Sequence, residues 1–505
     1  MIKRITITAA LALALLGGAA PSANGGVYKA IQCDERSGAG HPDASFASSS
    51  QRYVSSASCG ARGLGITHAP GASRTTSGRF GAWTISAPDG AEIIRAAARV
   101  MAKRENRHVP QVHIGLQGGA RDSLARVEGG LHRIDWAGSG GSFLTSRLAC
   151  SSGKGCGEGR NAHIYLRRIA LTLRDSTDPT VQLGGSLLQP GSRRGDQVLD
   201  VNAIDAGSGV RSILVELNDR PIQARVLECH IANRVAIRLR PCPGNATPRF
   251  EIATTAGGFR QGPNQLRVCV SDYAPQATAN QTCETRTIRI DNECPLSNAA
   301  GSVVSARFRG AGTETTSPSD AATHVTGQVV DDGGNPVRGA RVCVATRVSA
   351  TDGPPERVIA TPTTGPDGHF ETRLPAGPSR EVRIAHWRGP HNVVERYLEL
   401  HSKAVPRLTL RPTRGVSNGD SVRFGVRIPG PGQASRQVAV EAKAGSRWIR
   451  IATGRTNRSG RWSGSYEFRN TTGTRRYAFR AVVGRQPGYP YLPGQSTTRH
   501  LTVTG

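Results

Sequence analysis

Between residues 324 and 387 apolar side chains recur at every second position, and glycine, proline and asparagine interrupt the pattern at short intervals. Val325, Gly327 and Val329 share one face; Ala340, Val342 and Val344 form a second such run, and Phe370, Thr372 and Leu374 a third. A period of two belongs to half-buried strands. Asp331-Asp332-Gly333-Gly334-Asn335-Pro336 offers the positive-φ positions of a hairpin between the first two runs, and Pro366-Asp367-Gly368 makes another turn. The stretch predicts a compact antiparallel sandwich with no helix and no catalytic constellation.

Thr326-Gly327-Gln328-Val329, Gly334-Asn335-Pro336-Val337, Gly339-Ala340-Arg341-Val342, Asp367-Gly368-His369-Phe370 and Leu374-Pro375-Ala376-Gly377 resemble the carboxypeptidase regulatory-like domain. The resemblance implies a transthyretin-like β-sandwich over residues 323–398, a non-catalytic module appended to enzymes, adhesins and surface proteins. The loop at 348–362 is long and proline-rich and departs from that pattern.

Residues 175–295 form a unit that opens on Asp175-Ser176-Thr177-Asp178-Pro179. Within it Ala203-Ile204-Asp205 leads into Gly207-Ser208-Gly209-Val210, which resembles a bacterial Ig-like domain and implies a seven-stranded sandwich. Upstream, residues 24–174 read as strands at 78–85 and 163–173. Residues 91–104 fit either a helix or two strand faces, and the neighbouring strands favour the latter. With a cysteine pair near each end, this region is similar to the concanavalin-like jelly roll of lectin and laminin-G modules.

Residues 296–322 read as a linker, most clearly at 313–318, with an edge strand at 303–308. From 399 to 505 alternation returns with glycine-rich turns, similar in pattern to fibronectin type III or Ig-like modules. The expected fold class is therefore all-β, a series of tandem β-sandwiches.

The first 23 residues carry Lys3 and Arg4, then an apolar run at 5–16 and small residues before position 23, which reads as a secretory signal peptide. No later segment reaches transmembrane length, and the C-terminus shows no sorting tail. Ten cysteines suit an oxidising compartment. Their near-neighbour order gives Cys33–Cys59, Cys150–Cys156, Cys229–Cys242 and Cys269–Cys283, leaving Cys294 for Cys343. Zinc is the competing use, but no C-x2-C spacing occurs. The net charge of +28 is almost entirely arginine. It expresses a GC-rich, Gram-positive-type bacterial composition, and it also attracts anionic polymers.

No G-x-S-x-G or H-E-x-x-H motif occurs. Ser151-Ser152-Gly153-Lys154-Gly155 is a disulfide loop rather than a phosphate loop, and aspartates near glycine at 205, 331 and 367 lack the calcium-loop rhythm. No cofactor is expected. The leading expectation is a secreted, non-enzymatic protein that binds extracellular glycan or wall polymer, with residues 24–174 as its recognition head. A polysaccharide-active enzyme in the same region is the alternative, since it holds ten acids, among them Asp34, Asp43, Glu92 and Asp135. A ligand-free spacer is the third. Nucleic acid is not an expected partner outside the cell. In the C-terminal region Arg447, Arg450 and Arg461 stand beside Trp448 and Trp462, which predicts cationic and stacking groups on a shared face toward an anionic polymer.

Overall fold

The structure is a computed structural model that describes residues 26–505, apart from 35–41, 61, 72, 116–120, 127–129, 274–279, 298, 300 and 351–352. The predicted signal peptide lies outside the described residues. Among those described there are strands throughout, one 3-10 turn at Ser186–Leu188 and no α-helix. Among the described residues no helix is long and apolar enough to cross a membrane. The all-β class follows from the alternation: along Ala91–Lys103, for example, Ile93, Ala96, Ala98, Val100 and Ala102 are all buried. That segment pairs with His163–Asp175 on one side and Gly130–Gly141 on the other, so its backbone is satisfied only as a strand.

The chain builds four successive sandwiches, each with its own apolar core. In the first, a five-stranded sheet runs Ser45–Ser48, Phe80–Ser86, Phe143–Cys150, His108–Gly115, Arg121–Arg126. It packs on a larger sheet centred on His163–Asp175. That larger sheet takes two short strands, Ile231–Ala232 and Val235–Ala236, from the second sandwich; Ala30 pairs in parallel with Ala236. Ala236 and Leu239 are buried in the first core. Tyr28 donates to the Leu239 carbonyl at 2.6 Å, and the Asp43 carboxylate accepts from the Leu239 N–H and from Arg238. Residues 175–295 are thus not self-contained: the hairpin closed by Cys229–Cys242 completes its neighbour.

The third sandwich corrects three expectations. Residues 296–322 are not a linker. Ser302–Phe308 pairs along Thr323–Val330, Glu314–Pro318 runs parallel to Val393–Lys403, and Phe308 lies in the core. The turn at 331–336 folds Pro336 and Val337 back on Val330 and Val329, but the two long strands that flank it do not pair with each other. Thr323–Val330 pairs with His369–Leu374, while Cys343–Val348 joins Arg380–Trp387 in the opposite sheet. Asp331 still organises that turn, accepting from the N–H groups of Gly333 and Asn335. The last boundary falls at about 403 rather than 398, because Val393–Lys403 belongs to the third sandwich and Leu400 to its core, whereas Ala404 opens the fourth.

The fourth sandwich faces a three-stranded sheet, Arg407–Arg411, Ser421–Arg427 and Arg461–Glu467, with a six-stranded one. The latter includes Gln437–Ala444, Arg447–Arg455, Thr474–Val483 and Arg499–Thr504. Phe424, Phe479 and Phe468 fill the space between. All ten cysteines are paired, Cys33–Cys59, Cys150–Cys156, Cys229–Cys242, Cys269–Cys283 and Cys294–Cys343, with no free thiol.

Candidate binding surfaces

The five-stranded sheet of the first sandwich turns alternate side chains away from the core. Trp83, Ile85, Val112, Ile114, Leu144 and Leu148 point inward. Phe80, Thr84, His113, Phe143, Thr145 and Arg147 therefore stand on the open face, in register across neighbouring strands, around a groove of about 470 Å³. Glycine sets the depth of one end. A Cβ on Gly115 would overlap the Phe143 ring, so the ring lies on the strand where a side chain is missing. The Arg147 guanidinium stacks on Phe80 at 4.1 Å from the ring centroid. The hydroxyls of Thr84 and Thr145 are 3.3 Å apart between the aromatic rings. Two half-buried rings, two hydroxyls, an imidazole and a guanidinium on one rigid sheet are the elements of a small polar–aromatic site.

Trp83 is no part of it; its indole N–H donates to the Gly65 carbonyl inside the core. The carboxylates of this region are engaged elsewhere. Asp135 pairs with Arg95, Glu92 with Arg174, Asp34 with Arg168 and Asp43 with Arg238, and none of the described acids lines the groove.

A second polar cluster, which the sequence did not suggest, lies beneath the disulfide loop Cys150–Cys156. His68 and His108 stack with centroids 4.5 Å apart, Tyr53 hydrogen-bonds to His108 Nδ1 at 3.0 Å, and Thr75 to His68 Nε2 at 3.0 Å. Burial pushes both imidazoles below the ordinary histidine value, and all three rings are at least 97% buried. It is a sealed internal network, visible in sequence only as two isolated histidines.

The predicted C-terminal residues do not converge. Arg461 and Trp462 are consecutive on a strand and so face opposite ways. Arg461 stands on the outer face of the three-stranded sheet, opposite Arg427, whereas Trp462 turns inward against Gly454 of the other sheet. Trp448 and Arg450 lie on the outer face of the six-stranded sheet, on the far side of the sandwich, where Arg480 stacks on Trp448 at 4.2 Å. Arg447 pairs with Ala444 at the exposed end of that ladder, on the face opposite Trp448. The shared face expected for these five is therefore replaced by separate ones.

What the sequence missed is on the outer face of the three-stranded sheet. Arg407, Arg427 and Arg461 form one cross-strand row; Thr409, Gly425 and Ser463 the next; Arg411, Arg423 and Ser465 the third. The alternation was visible, but the pairing that collects these arginines was not.

Other polar and acidic side chains serve the fold. His386 Nδ1 donates to the Arg341 carbonyl at 2.9 Å, and Trp387 donates to Asp291 Oδ2 at 2.7 Å. The aspartates at 205, 331 and 367 each accept a backbone N–H of their own turn. Among the described residues no group of three or more His, Cys, Asp or Glu side chains is placed to hold a metal ion.

No protein-family model matches the chain, and no curated protein does. Among solved structures, the chain is similar to a tetra-tandem repeat in the extending region of a large adhesion protein, at 12% identity over 85% of this chain and 96% of that one, with a TM-score of 0.21. The Escherichia coli adhesin FdeC matches at 14% identity over 65% and 97%, TM-score 0.20. A GH2 β-galacturonidase from Eisenbergiella tayi matches at 9% identity over 55% and 48%, TM-score 0.15. Similarities at this level bear on neither ligand nor chemistry.

Proposed function

We propose that this chain is an extracellular, non-enzymatic binding protein whose first sandwich holds a saccharide on the open face of its five-stranded sheet, the later sandwiches forming a stalk. One observation carries the reading: Phe80 and Phe143 flank the hydroxyls of Thr84 and Thr145 on a single sheet face. A pyranose presents an apolar face to a ring and hydroxyls to its edge, which is the complement of that arrangement. The fully paired cysteines support an oxidising location. The engagement of Asp34, Asp43, Glu92 and Asp135 in ion pairs away from the groove favours binding over hydrolysis, which needs two carboxylates facing across the sugar.

The test is a screen of the oxidised, full chain against immobilised glycans and wall polysaccharides. A retained sugar is expected, with Phe143→Ala weakening it on the order of tenfold through lost stacking, while the thermal melt of the chain stays cooperative. Retention unchanged in Phe143→Ala and Thr145→Val, or no retained sugar at all, would refute the reading.

A further inference from the structure

The outer face of the fourth sandwich's three-stranded sheet collects positive charge without counter-ions. Arg407 pairs with Arg427 and Arg427 with Arg461; Arg411 pairs with Arg423 two rows along. Strands in a sheet lie about 4.8 Å apart, and side chains on one face recur about every 7 Å along a strand. Five guanidinium groups therefore share a patch three strands wide and five residues long. All five are exposed, and none has an acidic, hydrogen-bonding or ring partner among the described residues. Other arginines of the same sandwich are engaged: Arg480 with Glu441, Arg469 with Glu467. Like charges placed directly opposite destabilise a ladder, so this face costs the fold stability that a bound anion would return.

Its shape narrows the ligand. The row between the arginines is small, with Gly425 between Thr409 and Ser463, and leaves a shallow groove of about 450 Å³ with Arg407, Arg427 and Arg461 along it. Trp462 borders this groove, but its ring turns inward against Gly454 and Gly464, and Tyr466, though 38% exposed, alternates to the same inner side, opposite the buried Val422, so no ring lies flat on the arginine face. A sugar ring has nothing to lie on here, and neither has an unstacked base. What planar forks on a flat sheet select is a succession of phosphates, each taken in bidentate fashion. We propose that this face binds an extended, ring-free polyphosphodiester of a cell surface, as a second site independent of the groove in the first sandwich.

The experiment measures retention of the full, oxidised chain on immobilised poly(glycerol phosphate) across a salt series. Combined Arg407→Gln, Arg427→Gln and Arg461→Gln should weaken binding at least tenfold and flatten the slope of log affinity against log salt by about 2. An equal loss of charge on the six-stranded sheet, Arg447→Gln, Arg450→Gln and Arg476→Gln, should cost less than twofold. Removing clustered like charges leaves the melt unchanged or raised, so loss of fold is distinguishable from loss of site. Equal losses from the two triples would overturn the proposal, reducing it to net charge. Tighter retention on heparin or on oligothymidylate would overturn it in favour of a sulfated glycan or nucleic acid. The substitutions leave Phe80 and Phe143 untouched, so the two binding readings fail separately.

Discussion

Asp175, Asp205 and Asp272 are buried together where the first and second sandwiches meet. Asp175 accepts from Thr177 and the Ser208 N–H, Asp205 from the Gly209 N–H, and Asp272 from Asn280. Asp205 Oδ1 has no partner. Burial first, and then the charge of Asp175, raise Asp272 to about 7 and Asp205 to about 6, from ordinary values of 3.8. Between pH 4 and 7 the native state thus holds protons that the unfolded chain has released. The stability these groups contribute is complete below about pH 4 and lost as pH rises through 6 to 7. Asp205→Asn keeps an acceptor for Gly209 and removes the charge, so it should raise the melting temperature by a few degrees at pH 8 and leave it unchanged at pH 4. Calorimetry at both values checks this; equal shifts would contradict it. His68 and His108 act in the opposite sense, since burial lowers them and their contribution is lost as pH falls below about 6.5. The variant must therefore be compared with wild type at each pH, where the histidine contribution cancels, rather than with itself across pH.

At the scale of elements, the strand Arg380–Trp387 shows what alternation reveals and what it hides. Val382 and Ile384 face the third core, as a period of two requires. Arg383 and Trp387 fall on the other face, which the sequence marks as open to water. There they meet the second sandwich instead. Arg383, 1% exposed, contacts Asp291 at 2.9 Å, Glu395 at 2.9 Å and Glu356 at 2.6 Å. Arg289 reaches Glu356 and Glu381, Ser192 reaches Glu395, and Arg194 stacks on Trp387. Burial opposes the Asp291 charge, but Arg383 holds that carboxyl below its ordinary value. Arg383→Met should cost about 3–5 kcal/mol, because Asp291 and Glu395 are left buried without their cation and Glu356 keeps only Arg289; a denaturant titration of the full chain that moved by less than 1 kcal/mol would contradict this. The strand class and the four short-range cysteine pairs could be read from sequence because each is local, whereas Cys294–Cys343, 49 positions apart, followed only by elimination. Contacts such as Arg383–Asp291, Tyr28–Leu239 and the Arg407–Arg427–Arg461 row could not, since they depend on which strands pair and which domains touch. The edge strand expected at 303–308 is present as Ser302–Phe308, but the linker reading of 313–318 failed, because Glu314–Pro318 pairs through its backbone without contributing a buried side chain.

At the scale of the whole molecule, the Cys294–Cys343 bond leaves the end of the second sandwich and enters the third at the strand Cys343–Val348, beside Arg380–Trp387. Pulled from its two ends, the chain carries tension through that sulfur bridge directly into the strand pair that holds Arg383. The residues between the two cysteines, 295–342, with Ser302–Phe308, Glu314–Pro318 and Thr323–Val330 among them, bear none of the load. At about 3.4 Å per extended residue they are a hidden slack of roughly 160 Å. Force spectroscopy should find the rupture of the third sandwich lengthening by about that amount after reduction; an unchanged length would mean the bridge is absent. A molecule tethered at one end and gripped at the other would then stretch less, and recoil sooner, in oxidising surroundings than in reducing ones.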